Sequence, residues 1–367
     1  MMSLSSAETI RASLHNALGK IESFKSCALL DYPDHPNIGD HLIWLGGVIY
    51  LTNVMKTQIK YTCSLHNFSP KTLEDNIGKS PIVFHGGGNL GDLWTEQQKF
   101  REGIISKYRD RPIVILPQSL YFRHEVNLIK TANIFNSHPN LTIFLRDERS
   151  YKIAKEAFDK CQVFKAPDMA FQMTDLQDIF HIQNTKSSIL YLSRKDREIN
   201  QKQSENIFDL PNLVVEDWIA YEWKFGHPTK KLAKYVSTLY REVWERGLAT
   251  PIEWNSRQKW QNSYPYEVDF NHVYQPSIHQ LSWSLMHSGV YQLKQHRLVI
   301  TNRLHGHIIC VLFNIPHVFL PNSYYKNEAF YEEWTKEIPD CRFIKDTSEV
   351  KIAVEELLAS STGKTIN

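Results

Sequence analysis

Three residues that can hold an anion or move a proton, Arg303, His305 and His307, alternate along Leu298-Val-Ile-Thr-Asn-Arg-Leu-His-Gly-His307. Leu298 to Thr301 is apolar or β-branched, and the run from Leu304 to Phe313 is apolar enough for a buried helix, so the segment reads as strand, tight turn, helix. A helix N-terminus presents unpaired N–H groups and a partial positive charge. A guanidinium and an imidazole added there make an anion site that can also transfer a proton. His307, deeper in the apolar run, reads as a satisfied core histidine.

Two other loops have the same character. Ile189-Leu-Tyr-Leu192 is a strand ending in Ser193-Arg194-Lys195, cations placed for an anion at a strand's carboxyl end. Pro81-Ile-Val-Phe84 runs into His85-Gly-Gly-Gly-Asn89 and on to Gly91, where Gly86, Gly88 and Gly91 fit the spacing G-x-G-x-x-G. A nicotinamide site is not expected, because no long apolar helix follows directly and the next strand ends in Pro117-Gln118-Ser119 without a carboxylate for ribose. What remains is a backbone that a bulky or anionic ligand can approach closely. Asn37-Ile-Gly-Asp40 sits where a helix N-cap belongs, with Asp40 either the cap or part of a ligand-facing strand-to-helix loop. Arg146 and Arg149, beside Asp147 and Glu148, read as surface charges of a helix start or as a paired structural cluster, ahead of a functional role.

The elements that position these loops alternate. Strands at Cys27–Leu30, Ile113–Leu116, Leu141–Leu145, Gln162–Phe164, Leu213–Glu216 and His317–Leu320 are interspersed with helical runs at Ser6–Phe24, His41–Val54, Lys230–Arg246, Ser277–Gln295 and Val350–Leu358. That pattern implies parallel sheets with helices on both faces. A chain of 367 residues exceeds what one core comfortably fills. The polar stretch Thr174–Ser188 divides it into a first domain over 1–175, a second over 188–346, and a closing helix and tail over 347–367. Trp218, Trp223, Trp254 and Trp260 surround an aromatic-rich region whose rings either stack on sugar or pack the core. A net charge of +2 argues against bulk attraction to nucleic acid or anionic lipid. Five widely spaced cysteines without a C-x-x-C pair suggest reduced thiols and no metal. The first twenty residues lack the apolar centre of a signal peptide, and no run is long enough to span a bilayer. A cytoplasmic protein is expected, reaching a membrane only through partners.

Asn37-Ile-Gly-Asp40, His85-Gly-Gly-Gly-Asn-Leu-Gly-Asp92, Leu116-Pro-Gln-Ser119, Leu145-Arg-Asp-Glu-Arg149, Ala166-Pro-Asp168, Leu192-Ser-Arg194 and Asn302-Arg-Leu-His-Gly306 occur in an order and spacing that resembles the polysaccharide pyruvyl transferase family. The resemblance runs from about Leu29 to Leu320. It implies a GT-B-like fold, two Rossmann-like domains facing a cleft, and transfer of pyruvate from phosphoenolpyruvate to a saccharide as a ketal, with no cofactor beyond that co-substrate. It also implies that Arg303, Leu304, His305 and Arg194 bind the donor, and Ser193 adjoins them. Phosphoenolpyruvate carries about three negative charges, which calls for at least two cations and backbone donors. On this reading His305 is the general acid, Asp40 the base on the acceptor hydroxyl, and Asn37, Gly39, His85, Gly86, Gly87, Gly88 and Asn89 shape the acceptor pocket. The acceptor is a saccharide, free, polymeric or lipid-linked. The alternative is a glycosyltransferase taking a sugar nucleotide on the same fold. It is disfavoured because Pro321-Asn-Ser-Tyr-Tyr-Lys326 offers no early carboxylate for ribose.

Overall fold

The computed structural model describes residues 6–178, 187–194, 207, 209–218 and 270–362. Two parallel sheets organise them. The first contains β1 (Ser26–Leu30), β2 (Gln58–Cys63), β3 (Ile82–Phe84), β4 (Gly87–Gly91), β5 (Ile113–Tyr121), β6 (Leu141–Leu145) and β7 (Gln162–Lys165). Its order is β2-β1-β3-β5-β6-β7, with β4 pairing onto β5 beyond the end of β3. The second contains β8 (Ile189–Leu192), β9 (Leu213–Glu216), β10 (Leu298–Thr301), β11 (His317–Phe319) and β12 (Cys341–Phe343), in the order β12-β11-β10-β8-β9. Near-continuous Val/Ile/Leu runs such as β6 and β10 are buried along their whole length, as parallel strands covered on both faces must be.

Strand order fixes where a ligand can sit. In the first sheet the chain passes from β1 to β2 on one side and then to β3 on the other, so the direction reverses between β1 and β3. In the second, β9 and β10 flank β8, and the reversal lies between β8 and β10. Open α/β sheets bind ligands at the carboxyl ends of the strands at such switch points. The four loops emerging there carry Asn37 to Asp40, His85 to Asn89, Ser193-Arg194 and Asn302 to His305.

Helices α1 (Ala7–Leu18) and α2 (Ile38–Ile49) lie in one apolar cluster with Leu190, Leu192 and Val299 of the second sheet. α2 continues into a π turn over Tyr50–Val54. It is covered by the 3-10 segment Met169–Asp178, whose backbone comes so near Gly46 that a Cβ there would lie 2.1 Å from the Met169 carbonyl oxygen. On its other flank packs the helix Pro276–Lys294, where Gly289 leaves room for Ile38 and His279 Nδ1 accepts from Trp44 Nε1 at 3.0 Å. Four further helices cover the first sheet: Pro70–Ile77, Thr95–Lys107, Glu125–Ser137 and Glu148–Ala157. Beyond β10 come the helices Leu304–Leu312, Lys326–Phe330 and Val350–Thr362. The last third of the chain reaches back to the first sheet, with Trp334 Nε1 donating to the Arg146 carbonyl at 2.8 Å and the Tyr325 hydroxyl donating to the Leu120 carbonyl.

Several expectations change. The glycine loop is a short strand, β4, because Gly87 (φ +124°) and Gly91 (φ +130°) let the backbone lie against β5. The helix expected over Ser6–Phe24 stops at Leu18. Asp40 is not the cap of α2: Asn37 is, its Oδ1 accepting from the Gly39 N–H at 3.3 Å. Trp218 is fully buried and offers no face to a sugar. Trp223, Trp254, Trp260, Lys195 and the helix expected over Lys230–Arg246 lie outside the described residues. Among the described residues no helix is long and apolar enough to cross a membrane.

Candidate active site

The turn after β10 opens the helix Leu304–Leu312 with Arg303 at its N-cap position. Thr301 Oγ1 accepts from the Arg303 N–H at 3.0 Å and donates to the Leu192 carbonyl at 3.1 Å, so β8 and the turn are tied together. Asn302 adds a second tie, its Oδ1 accepting from the Arg194 N–H at 3.0 Å. The two switch-point loops of the second sheet are thereby one unit. The Arg303 guanidinium is gripped by Asp217, beyond the end of β9, through Nε at 2.5 Å and Nη2 at 2.7 Å. Such a bidentate pair fixes the fork in place. Arg194 and Ser193 are buried beside it, and Leu304 packs into the core.

His305 projects from the first turn toward the first sheet. Its ring lies against the backbone of Gly39 so closely that a Cβ at that position would be 2.2 Å from Nδ1. Its Nε2 lies 3.6 Å from Asp168 Oδ2 and makes no hydrogen bond among the described residues. Asp168 follows β7 and is wholly buried. It pairs with Arg146 Nη1 and accepts from the Ala170 N–H at 2.9 Å. Burial would raise its carboxyl, but Arg146, then His305 and the Ala170 N–H, hold it far below the ordinary carboxylate range. A permanently ionised group therefore stands behind His305.

On the other side Asp40, its side chain 24% exposed, accepts from Asn37 Nδ2 at 2.7 Å and lies 3.6 Å from His35 Nε2. Burial acts to raise its carboxyl and is overcome by His35, His305, His85 and His41, so it too titrates low. His85 is buried, its ring tilted against Trp44, and its Nε2 has no hydrogen-bond partner among the described residues.

The glycines divide by role. A Cβ on Gly86 would lie 2.8 Å from the Pro117 carbonyl, so this glycine serves the β3 to β5 contact. Gly87 is required by its backbone angle and faces Ile43 and Asp40. Gly88 faces two cations: a Cβ there would lie 3.1 Å from Arg146 Nη2 and 3.5 Å from Lys326 Nζ. Asn89 is held by groups around its own strand, accepting from Arg101 Nη2 of the helix Thr95–Lys107 at 2.7 Å and from Gln118 Nε2 of β5 at 3.0 Å and donating to Asp31, just past β1, at 3.1 Å. Its amide holds the glycine strand in place.

Sequence reasoning missed Asp168, Lys326 and the site-facing part of Arg146. Arg146 and Asp168 stood within recognised motifs, and a buried Arg at a strand end was the available signal. Nothing local marks Lys326, which reaches the site only because the chain beyond β11 folds back. Gly39→Ala is the mildest test of the arrangement. The new methyl must displace the His305 ring, so turnover is expected to fall at least tenfold with little change in melting temperature. Unchanged turnover would mean that His305 is not held where Gly39 admits it.

Buried imidazoles also set the acid behaviour of the fold. Burial pushes His41 down to about 3 and His85, His279 and His317 to about 4. Each titrates near 6.5 when unfolded. Between about pH 6.5 and 4 the unfolded chain therefore binds protons that the folded chain refuses, and stability falls as pH drops through that window. Asp31 acts oppositely, since burial raises it to about 6 against Arg101 and Asn89. Four imidazoles outweigh one carboxyl, at roughly 1.4 kcal/mol per pH unit for each net proton. Melting temperatures at pH 7.5, 6 and 5 should decline in that order, and a flat series would contradict the burial of these rings as neutral groups.

The comparisons with known proteins agree with this architecture. The polysaccharide pyruvyl transferase family pattern matches residues 37–324, and the chain belongs to that family of transferase enzymes. EpsO of Bacillus subtilis (strain 168), provisionally named a pyruvyl transferase, is 29% identical over 93% of this chain and 95% of its own length. Pyruvyl transferase 1 of Schizosaccharomyces pombe is 27% identical over 82% of this chain and 67% of its own. A solved structure of a functionally uncharacterized protein from Klebsiella pneumoniae shares the fold at a TM-score of 0.55. It is 17% identical and covers 93% of this chain and 97% of that one.

Proposed function

We propose that the chain transfers pyruvate from phosphoenolpyruvate to two hydroxyls of a saccharide, forming a ketal in the synthesis of an exopolysaccharide or surface glycan. The observation that carries this reading is His305, at a helix mouth of the second sheet, seated between Asp168 and the Gly39-Asp40 turn of the first sheet. The two sheets act as two Rossmann-like domains facing a GT-B-like cleft, divided near 175–188. Arg194 and Arg303 hold the donor from the second domain, with Arg146 and Lys326 beside Gly88 completing a cationic wall. No cofactor takes part.

The chemistry must balance. The donor's methylene carbon gains one proton and becomes methyl, its central carbon becomes cationic, two acceptor oxygens bond to that carbon, and the C–O bond to phosphate breaks. Of the two hydroxyl protons released, one replaces that given to the methyl group and the other leaves with phosphate. His305, backed by ionised Asp168, supplies the first proton. Asp40, ionised and a quarter exposed, accepts from an acceptor hydroxyl. A developing cation between two carboxylates is stabilised in place.

Calorimetry tests the donor. Phosphoenolpyruvate should bind wild type, and Lys326→Met should weaken it at least tenfold, while sugar nucleotides give no heat with either. Binding of a sugar nucleotide alone would replace this reading with glycosyl transfer.

A further inference from the structure

Away from that site, the helix Leu304–Leu312, β11 and β12 bring together a set of metal-binding side chains. His307 Nδ1 lies 2.7 Å from His317 Nε2 and 3.7 Å from Cys341 Sγ, and the three atoms are all within 4.8 Å of one another. All three residues are buried, and His307 stacks on Phe319 at 4.1 Å. We propose that His307, His317 and Cys341 form a binding site for a soft divalent metal ion, Zn2+ as its natural occupant. Their spacing in sequence is wide and irregular, which is why the chain reads as metal-free until it is folded.

The outer contacts fit a ligand set. His317 Nδ1 lies 2.8 Å from the Ile315 carbonyl, which can only accept, so this nitrogen carries the proton and Nε2 presents its lone pair. His307 Nε2 lies 2.9 Å from Thr335 Oγ1, a hydroxyl able to accept a hydrogen bond from an Nε2–H, the tautomer that leaves the Nδ1 lone pair as a ligand atom. Metal-bound histidines are oriented by bonds of this kind on the far nitrogen. Zinc bonds of about 2.0–2.1 Å to nitrogen and 2.3 Å to sulfur place neighbouring ligand atoms roughly 3.3–3.6 Å apart. The contact between Cys341 Sγ and His307 Nδ1 is already near that length, and the two imidazoles must part by about 0.7 Å on those bond lengths. Before binding, the proton on His307 Nδ1 bridges to His317 Nε2; on binding, His307 carries it on Nε2 instead, where Thr335 Oγ1 accepts the hydrogen bond, and the Cys341 thiol releases its proton to solvent. A cavity of about 320 Å³, lined by Cys310 and His317 with Glu337 and Asp340, lies alongside and supplies an approach for a cation and water for a fourth position.

The occupied site would fasten the helix whose first turn carries His305 to the two outer strands of the second sheet, a role independent of which donor the enzyme uses. The test uses the full chain, stripped by chelator and titrated with CoCl2 or ZnCl2 alone. One equivalent of cobalt should bind with a thiolate-to-cobalt charge-transfer band, absent in Cys341→Ser and retained in His305→Ala. Zinc should raise the melting temperature. If Cys341→Ser does not fold, X-ray absorption of the zinc-loaded wild type decides, with two nitrogens and one sulfur expected. No binding, a shell without sulfur, or a band that survives Cys341→Ser would overturn the proposal.

Discussion

Replacing His305 by alanine is expected to lower turnover by roughly 10²–10⁴-fold, the usual contribution of a positioned acid or base. The donor's apparent affinity should change far less, because the cations named for it, Arg194, Arg303, Arg146 and Lys326, remain. The fold should tolerate the change. His305 is partly exposed, its Nε2 makes no hydrogen bond among the described residues, and its ring rests on a glycine. A loss confined to KM with kcat preserved would make His305 a binding residue and would leave proton delivery to another group. Asp168→Asn separates positioning from chemistry further. It keeps the shape behind His305 but removes the carboxylate charge 3.6 Å from its Nε2, so kcat should fall while the donor's KM changes little.

How much of this was legible in the sequence depends on the distance over which each signal acts. β10, the turn and the helix Leu304–Leu312 follow from a local change of hydrophobic period, and the Arg303/His305 pair from residue types at a helix mouth. The parallel sheets follow from alternation. The switch points were not legible, because strand order depends on which side of β1 and β8 each later strand is laid. Asn89 illustrates a different gap: a polar residue beside three glycines looks ligand-facing, yet Arg101 and Gln118 donate to its amide oxygen and Asp31 accepts from its amide nitrogen. Asp217 likewise gives no local sign that it grips Arg303 across the sheet. Long-range pairings between buried charges have no periodicity to betray them.

Switch points in both sheets also explain why the candidate residues sit on short loops rather than long ones. Gly39 follows Asn37 at the start of α2, and His305 follows Arg303 at the start of its own helix. Two helix N-termini from opposite sheets thus approach the same space: at α2 Asn37 takes up the N–H groups of Gly39, Asp40 and His41, whereas the other helix has no side-chain cap bond at Arg303. An anion bound there would be met by these helix mouths as well as by guanidinium and ammonium groups.

Arg146→Met should have the largest effect on stability. Both Arg146 and Asp168 are buried, at 1% and 0% side-chain exposure, and removing one partner of such a pair leaves a carboxylate with only the Ala170 N–H and a distant imidazole. The expected cost is about 3–5 kcal/mol at neutral pH. Its pH dependence distinguishes lost charge pairing from lost packing. In wild type the Asp168 carboxyl titrates far below its ordinary value, so its stabilisation is complete above the unfolded pKa near 3.8 and is lost only as pH falls through the lower folded value. Without Arg146 the burial that raises this carboxyl is largely unopposed, its folded pKa moves above the unfolded one, and the folded variant gains a proton as pH drops toward that value. The deficit against wild type, measured by denaturant unfolding at pH 7.5 and pH 5, should therefore narrow at the lower pH, whereas a packing defect would stay constant. Adding Asp168→Asn to Arg146→Met should recover stability but not turnover, since the neutral amide no longer needs a cation yet leaves His305 without the carboxylate behind it.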